Sequence, residues 1–289
     1  MEGSANMKVA FFGTGLMGSG FVRRMRACGH EVNVWNRSAA KALALQDVGA
    51  TAFDDPAAAL AGAERLHVSL ADDASVDAVL EPLAAVIASG TCIVDHTTTA
   101  VTPTAERVAR WRARGRSFVH APVFMGPANA LEGSGLMLLS CPQAQHDALL
   151  PALQQMTGKV VHVGEAPERA AAFKLFGNLT LIGIIGVLGD VNRLAHAVGI
   201  STQDAFSLFE HFNPGQTLPA RAARIVSADV TRPSFELAMA RKDVRLMIEE
   251  ARRGGLELPV MAGVAAVFDA ALARGEGALD VVAAARIAT

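Results

Sequence analysis

Two polar side chains interrupt an apolar stretch near the middle of the chain. The stretch from Pro167 to Gly199 has the composition of one long helix, with Pro at its start and Gly at its end. Lys174 and Asn178 are four residues apart, so they project from the same helical face. Because their neighbours are apolar, we expect the helix to be buried on most sides and the amine to be desolvated. A surface lysine whose stem runs along apolar neighbours is the alternative.

A glycine-rich loop near the start of the chain gives the second chemical signal. Lys8–Phe12 is predicted as a buried strand, and a helix is predicted from Ser19 to Cys28. The Gly-x-Gly-x-x-Gly pattern between them allows a tight turn, a close approach of the backbone to a pyrophosphate and close packing of helix on strand. We therefore predict that a dinucleotide binds to Gly13, Thr14, Gly15, Leu16, Met17 and Gly18.

The residues after the second predicted strand indicate which dinucleotide binds. Glu31–Trp35 ends in Asn36, Arg37 and Ser38, where an NAD site usually carries an acidic residue for the ribose 2′-hydroxyl. A guanidinium grips phosphate oxygens in a fork, so Arg37 and Ser38 favour a 2′-phosphate. We predict NADP rather than NAD; an arginine that tolerates either cofactor is the alternative.

Strands and helices alternate through the first half of the chain. The predicted strands that follow are Arg65–Leu70, Thr91–Asp95, Ser117–Ala121, Gly135–Ser140 and Val160–Val163. This alternation predicts an α/β fold with a parallel, doubly wound Rossmann sheet in residues 1–164.

Ligands in such sheets bind beyond the carboxyl ends of the strands, which places Leu70, Ala71 and Thr98 near the cofactor. His96 and His120 fit no catalytic or metal-ligating spacing, and we interpret them as packing residues.

Residues 165–289 show no strand signal and are predicted to form an all-helical domain joined to the first by the long helix. Its further helices are predicted at Gln203–Phe209, Leu218–Ser227, Leu237–Gly254, Pro259–Arg274 and Leu279–Arg286. Gly183, Gly186 and Gly189 are spaced by three and predict a stripe that another helix approaches, whether from this chain or from a second subunit. The apolar helix surface favours a homodimer or homotetramer.

Composition excludes several classes of partner. The formal net charge of −2 gives no argument for a nucleic acid or an anionic membrane. The three cysteines have neither metal-ligand nor disulfide spacing, so we predict no metal and a cytoplasmic protein. The first residues are polar and carry no signal-peptide pattern. The longest apolar run, Leu179–Gly189, is predicted to be too short to span a bilayer.

Taken together, the motifs make the chain resemble the β-hydroxyacid dehydrogenases over nearly its whole length. The glycine loop looks like the family's cofactor motif, and the Asp95-His-Thr-Thr98 segment is similar to one that contacts cofactor and substrate. Lys174 and Asn178 resemble its catalytic Lys-x-x-x-Asn. The resemblance also implies that Lys242 touches the cofactor and that Phe235 and Asp243 border the substrate.

One segment departs from the family pattern. The family commonly has Pro-Val-Ser-Gly-Gly, whose Ser and Gly help to hold a substrate carboxylate. This chain has Pro122-Val followed by Phe124, Met125 and Gly126, so only Gly126 retains the family's residue type. Either Thr98 and backbone N–H groups hold the carboxylate, or the substrate differs and has a more apolar body.

The resemblance implies NADP-dependent hydride transfer between a small 3-hydroxyacid and the corresponding semialdehyde or keto acid. Lys174 would donate the proton in reduction and accept it in oxidation, and Asn178 would orient the lysine or the substrate hydroxyl. Burial among Phe173, Leu175 and Phe176 is expected to lower the pKa of the lysine. An imine reductase and a non-catalytic nucleotide-binding scaffold are the alternatives.

Overall fold

The computed structural model describes residues 6–287 of the chain. The chain forms two compact units, and the division between them falls between Asn178 and Leu179, inside one long helix. The predicted lack of a signal peptide concerns the first five residues, which lie outside the described part.

The first unit alternates strands with helices. Its strands are β1 Lys8–Phe12, β2 Glu31–Trp35, β3 Thr51–Ala52, β4 Arg65–Val68, β5 Cys92–Asp95, β6 Ser117–His120, β7 Val123–Phe124, β8 Leu136–Leu139 and β9 Lys159–His162. Its helices are α1 Leu16–Ala27, α2 Ala39–Leu43, α3 Pro56–Ala59, α4 Asp73–Leu80, α5 Val101–Ala113, α6 Pro127–Glu132 and α7 Gln143–Leu153.

Six strands form a parallel sheet in the order β3-β2-β1-β4-β5-β6. Adjacent residues of a strand point to opposite faces, so Phe11 and Phe12 of β1 enter two different apolar clusters, one on each side of the sheet. The strand order reverses at β1 and β4, and ligands of doubly wound sheets bind at this switch point. The predicted α/β fold with a dinucleotide-binding sheet is confirmed.

A separate three-stranded sheet follows, in the order β7-β8-β9. The prediction that Gly135–Ser140 and Val160–Val163 extend the parallel sheet was wrong, because these segments pair with each other and with β7. β7 runs antiparallel to β8, with Val123 opposite Met137. An apolar strand pattern indicates burial but does not specify the neighbouring strand, which explains the error.

A long helix leads from the first unit into a helical second unit. The helices are α8 Arg169–Ala197, α9 Thr202–His211, α10 Leu218–Ser227, α11 Leu237–Arg253 and α12 Pro259–Ala273. The helix predicted at Leu279–Arg286 is a 3₁₀ segment over Val281–Ala285.

Within the second unit, α8 packs against α12. Asp190 is buried, and its Oδ2 accepts a hydrogen bond of 2.9 Å from the N–H of Met261 in the first turn of α12. A Cβ on Gly186 would lie 3.1 Å from Val260, so the helix that comes close there belongs to the same unit. Gly183 has nothing within 4 Å of its Cβ position, so the predicted stripe is only partly used within the chain.

The prediction that α8 is buried on most sides was wrong. Its large apolar residues are largely exposed, with Leu179 at 75% and Ile182 at 69% exposure. The apolar composition indicates that burial of this helix surface is favourable. It does not show whether residues of the same chain or of another molecule bury the surface.

The length of α8 also corrects the expectation about membranes. The helix has 29 residues with a mean hydropathy of 1.8 in its most apolar window, which is long and apolar enough to cross a bilayer by these criteria. The expectation from the sequence considered only the uninterrupted apolar run Leu179–Gly189, which is shorter than the helix. Length and composition alone are weak evidence, because central helices of proteins that never enter a membrane pass the same test.

Candidate functional site

The glycine loop lies at the edge of a cleft of about 730 Å³ in the first unit. Gly13 has φ +91°, and a Cβ there would lie 2.1 Å from the Ser69 carbonyl oxygen. A Cβ on Gly18 would lie 1.9 Å from the Gly13 carbonyl oxygen, so α1 can approach β1 only with glycine at this position. Gly15 has nothing within 4 Å of its Cβ position and leaves the cradle open at the N-terminus of α1.

Most residues predicted to bind the cofactor line this one cleft. They are Gly13, Gly15, Leu16, Met17, Gly18, Asn36, Arg37, Ser38, Leu70 and Ala71. Thr14, also a residue of the glycine loop, is buried and does not line the cleft. The cleft, the open cradle at Gly15 and the helix N-terminus fit the pyrophosphate and sugars of a dinucleotide.

Asn36 joins the glycine loop to the end of β2. Its Oδ1 accepts a hydrogen bond of 3.0 Å from the N–H of Thr14, and its Nδ2 donates one of 3.0 Å to the Ser38 carbonyl. Asn36 therefore fixes the position of the loop relative to the residues predicted to hold the 2′-phosphate.

Sequence reasoning missed Lys41, which lines the same cleft four residues after Arg37. The two cations form no ion pair with any residue in the described part of the chain, whereas most arginines elsewhere do. The four-residue spacing between Arg37 and Lys41 around the start of α2 could have indicated this second cation. Ser75 and Val79 of α4 also line the cleft, and no sequence motif indicated them.

Thr98 is exposed in a loop that buried hydrogen bonds hold on both sides. Asp95 Oδ1 accepts from the N–H of Thr97 at 2.8 Å, and Thr97 Oγ1 accepts from the N–H of Leu70 at 3.0 Å. His120 Nε2 donates to the Thr97 carbonyl at 2.9 Å. These contacts link the loop to the ends of β4, β5 and β6.

The far side of the loop is fixed by α4 and α5. Thr99 Oγ1 contacts Thr104 Oγ1 at 2.7 Å, and Asp73 Oδ2 accepts from the N–H of Ala100 at 2.8 Å. The fully buried Arg107 pairs with Asp73 at 3.0 Å. The exposed hydroxyl of Thr98 is thus carried on a rigid backbone.

The titratable groups under this loop have shifted pKa values. Burial lowers the pKa of His96 and of His120 to about 4, because desolvation disfavours the imidazolium. Burial also raises the pKa of Asp95 to about 6. At pH 7 both imidazoles are therefore neutral, and they act as hydrogen-bonding supports of the loop.

The amine of Lys174 is buried, with 9% of the residue exposed. Its Nζ donates a hydrogen bond of 2.7 Å to the Val123 carbonyl and lies 4.2 Å from the centre of the Phe124 ring. Desolvation lowers the pKa of Lys174 below its ordinary value of 10.5. Asn178 is half-buried one turn later on the same face.

The source of this burial differs from the prediction. Phe173, Leu175 and Phe176 were expected to enclose the amine, but all three are exposed, Phe176 by 61%. Residues adjacent to a lysine on a helix project from other faces, so they are poorly placed to cover its amine. The segment of β7 covers it instead, and that contact spans about fifty residues of sequence.

Phe124 and Met125 occupy the positions where the family has its carboxylate-binding residues. A Cβ on Gly177 would lie 2.2 Å from Phe124 Cζ, so the ring fills a space that only glycine leaves on α8. Gly126 donates its backbone N–H to Asn129 Oδ1 at 2.9 Å. That N–H, which the sequence left as a candidate for a substrate carboxylate, already has a partner within the chain.

The remaining predicted residues lie in the second unit. Lys242 Nζ is 2.9 Å from Asp243 Oδ1 on α11, and both side chains are partly exposed. Phe235 precedes α11, and its carbonyl accepts from the N–H of Val281 at 2.8 Å. The roles of these three residues remain predictions from the resemblance.

Two glycine-to-alanine substitutions test the cofactor cleft. Gly15→Ala adds a methyl group where the protein has open space, so we expect unchanged thermal stability and at least about tenfold weaker binding of NADPH. Gly18→Ala forces the methyl group against the Gly13 carbonyl and is expected to cost about 1–3 kcal/mol of stability. Fluorescence titration and calorimetry measure both. Unchanged NADPH affinity in Gly15→Ala would contradict the assignment.

Family models cover nearly the whole chain. Residues 8–164 match the NAD-binding domain of 6-phosphogluconate dehydrogenase. Residues 169–288 match the NAD-binding domain of NADP-dependent 3-hydroxyisobutyrate dehydrogenase.

Known proteins resemble the chain over nearly its full length. An uncharacterized oxidoreductase, YfjR of Bacillus subtilis, is 26% identical over 95% of this chain and 97% of its own. The 3-sulfolactaldehyde reductase of Escherichia coli is 25% identical over 94% and 92%. An imine reductase from Myxococcus stipitatus in complex with NADP+ has the same fold, with a TM-score of 0.91, 19% identity and coverage of 96% and 99%. With the dinucleotide cleft and both family models, these matches show that the chain belongs to the 3-hydroxyisobutyrate dehydrogenase family, the NAD(P)-dependent oxidoreductases also called β-hydroxyacid dehydrogenases.

Proposed function

We propose that the chain transfers a hydride reversibly between NADP and a small 3-hydroxyacid or the corresponding semialdehyde or keto acid. The observation that carries the proposal is the buried amine of Lys174, held by one carbonyl and carrying a lowered pKa. An amine in such a place can give up and recover a proton during a reaction. The relative named as a sulfolactaldehyde reductase supports chemistry at a carbonyl carbon.

When bound, the nicotinamide supplies or accepts the hydride. The Val123 carbonyl takes one N–H of Lys174 and orients the amine, which leaves other N–H groups for a substrate oxygen. In reduction, the ammonium stabilises the developing alkoxide and then donates its proton. In oxidation, the neutral amine accepts the proton from the hydroxyl. Asn178 orients the lysine or the substrate hydroxyl from the same helical face.

An imine reductase is the second candidate, because solved structures of that activity share the fold. Two like charges disfavour each other, so a protonated amine is a poor neighbour for a cationic iminium substrate. Lys174 therefore favours a carbonyl substrate. A scaffold without catalysis has no use for a desolvated amine, since its burial is costly.

Replacing the amine tests the proposal. Lys174→Met keeps most of the length of the side chain but removes the ammonium group that donates the proton, and we expect kcat for carbonyl reduction to fall by about 10²–10⁴-fold. Affinity for NADPH should not change. Lys159→Met, an exposed lysine of β9, is the matched control.

The pH dependence gives the same test in the native protein. The ammonium form of Lys174 is lost as the pH rises, so the rate of reduction should fall with a pKa below 10.5. The rate in Lys174→Met should not show this fall. Turnover in Lys174→Met close to that of the native protein would remove the lysine from the mechanism.

We further propose that NADP is preferred over NAD, because Arg37, Ser38 and Lys41 line the cleft and neither cation pairs with an acidic residue among residues 6–287. In Arg37→Ala and Lys41→Ala the KM for NADPH should rise about tenfold or more, since each loses a charge-assisted contact to the 2′-phosphate. The KM for NADH should stay constant and serves as the internal control. A native protein that prefers NADH would contradict the proposal.

We also propose a homodimer, with a homotetramer as the alternative, in which the exposed apolar residues of α8 pack against a second copy. Large contiguous apolar patches are rare on monomers, and α8 exposes Leu179, Ile182 and Ile185 by about 70% each. Ultracentrifugation should give at least twice the chain mass of 30.1 kDa, and Ile182→Asp with Ile185→Asp should reduce it. Leu43→Asp, an exposed leucine of the first unit, should leave the mass unchanged. A native monomer would contradict the proposal.

A further inference from the structure

The Lys174 amine contacts one polar group and one aromatic ring in the first unit. The Val123 carbonyl accepts one N–H at 2.7 Å, and the Phe124 ring centre lies 4.2 Å from Nζ. An ammonium over a ring face is attracted by the electron-rich face without giving up a hydrogen bond to a conventional acceptor. The ring therefore shields the amine from water and leaves an N–H free for a substrate oxygen.

Phe124 is held in place from two directions. Its backbone belongs to β7 and pairs with Leu136 of β8. Its ring fills the space above Gly177, where any Cβ would lie 2.2 Å from Cζ. Because Gly177 follows Lys174 by three residues on α8, ring and amine share one side of the helix. The ring is therefore a fixed wall beside the amine.

The side chains of this wall offer no hydrogen-bond partner for a carboxylate. Residues 124 and 125 carry a phenyl ring and a thioether, and the backbone N–H of Gly126 is donated to Asn129 Oδ1. Moving a carboxylate from water to such a surface costs free energy that neither the two side chains nor the Gly126 N–H can return through a hydrogen bond. A hydrocarbon group at the same place would instead gain from the burial of apolar area.

We propose that the substrate group that borders Phe124 is hydrocarbon and not a carboxylate, so that the preferred aldehydes and ketones have an alkyl or aryl carbon beside the carbonyl and carry any carboxylate further away. The inference rests on the proposed function, because it places the substrate oxygen at the Lys174 amine. Phe124 is then a specificity-determining residue. Small acids whose carboxylate lies next to the carbonyl, such as glyoxylate, are poor substrates.

The test compares kcat/KM for two matched pairs of substrates with NADPH. In each pair an isopropyl group replaces a carboxylate of nearly the same shape beside the carbonyl: isobutyraldehyde with glyoxylate, and 3-methyl-2-butanone with pyruvate. Succinic semialdehyde, a substrate of the proposed function, is assayed as the reference for turnover. In the native protein we expect the hydrocarbon member of each pair to be preferred by about tenfold or more, the range that apolar contacts of this size supply.

Two variants examine the role of the ring. Phe124→Ser restores a hydroxyl beside the amine and should move both ratios towards the carboxylate by about tenfold or more, mainly through KM. Phe124→Leu removes the ring but keeps the wall apolar, so it should retain the hydrocarbon preference. Thermal unfolding and NADPH titration confirm that each variant is folded and binds its cofactor.

The outcomes separate this inference from the proposed function. A native preference for the carboxylates that is lost in Lys174→Met would overturn the inference and leave the proposed function standing. Unchanged ratios in a folded Phe124→Ser would also overturn the inference. Absence of any Lys174-dependent turnover with both substrate pairs and with succinic semialdehyde would overturn both.

Discussion

The burial of a single amine is the physical constraint on which the site of the first unit depends. A desolvated ammonium is unfavourable, and Lys174 meets that cost with one carbonyl and one aromatic face. Both partners come from β7, a strand of two residues in the second sheet. The small sheet and the start of α8 therefore have to pack closely, and Gly177 makes that packing possible.

The rest of the first unit separates rigid support from exposed chemistry. The cofactor cleft has an open cradle at Gly15, but its neighbours Gly13 and Gly18 leave no room for a side chain. In the same way, Thr98 is exposed while His120 and Asp95 fix the backbone on which it stands. Such preorganisation matters because misplacement by about 1 Å can cost much of the rate that orientation supplies.

Local patterns in the sequence predicted those parts of the structure that interactions between neighbouring residues determine. The strand, glycine loop and helix around Gly13–Gly18 follow from steric rules that operate over a few residues, and the cleft lies where these rules place it. The contact between Lys174 and Phe124 joins segments about fifty residues apart, and no periodicity encodes it. The second sheet was missed for the same reason, because strand partners are set by tertiary packing. The exposure of α8 was missed because apolar composition does not tell which chain covers a surface.

The central claim is that the Lys174 amine supplies the proton during hydride transfer. The most direct test measures the single-turnover rate of carbonyl reduction against pH and, separately, the pKa of the Lys174 amine by NMR in the complex with NADP+. We expect the rate to fall with rising pH through one pKa, below 10.5, and this value to equal the pKa of the amine. A hydride-transfer rate that does not change while the amine loses its proton would contradict it.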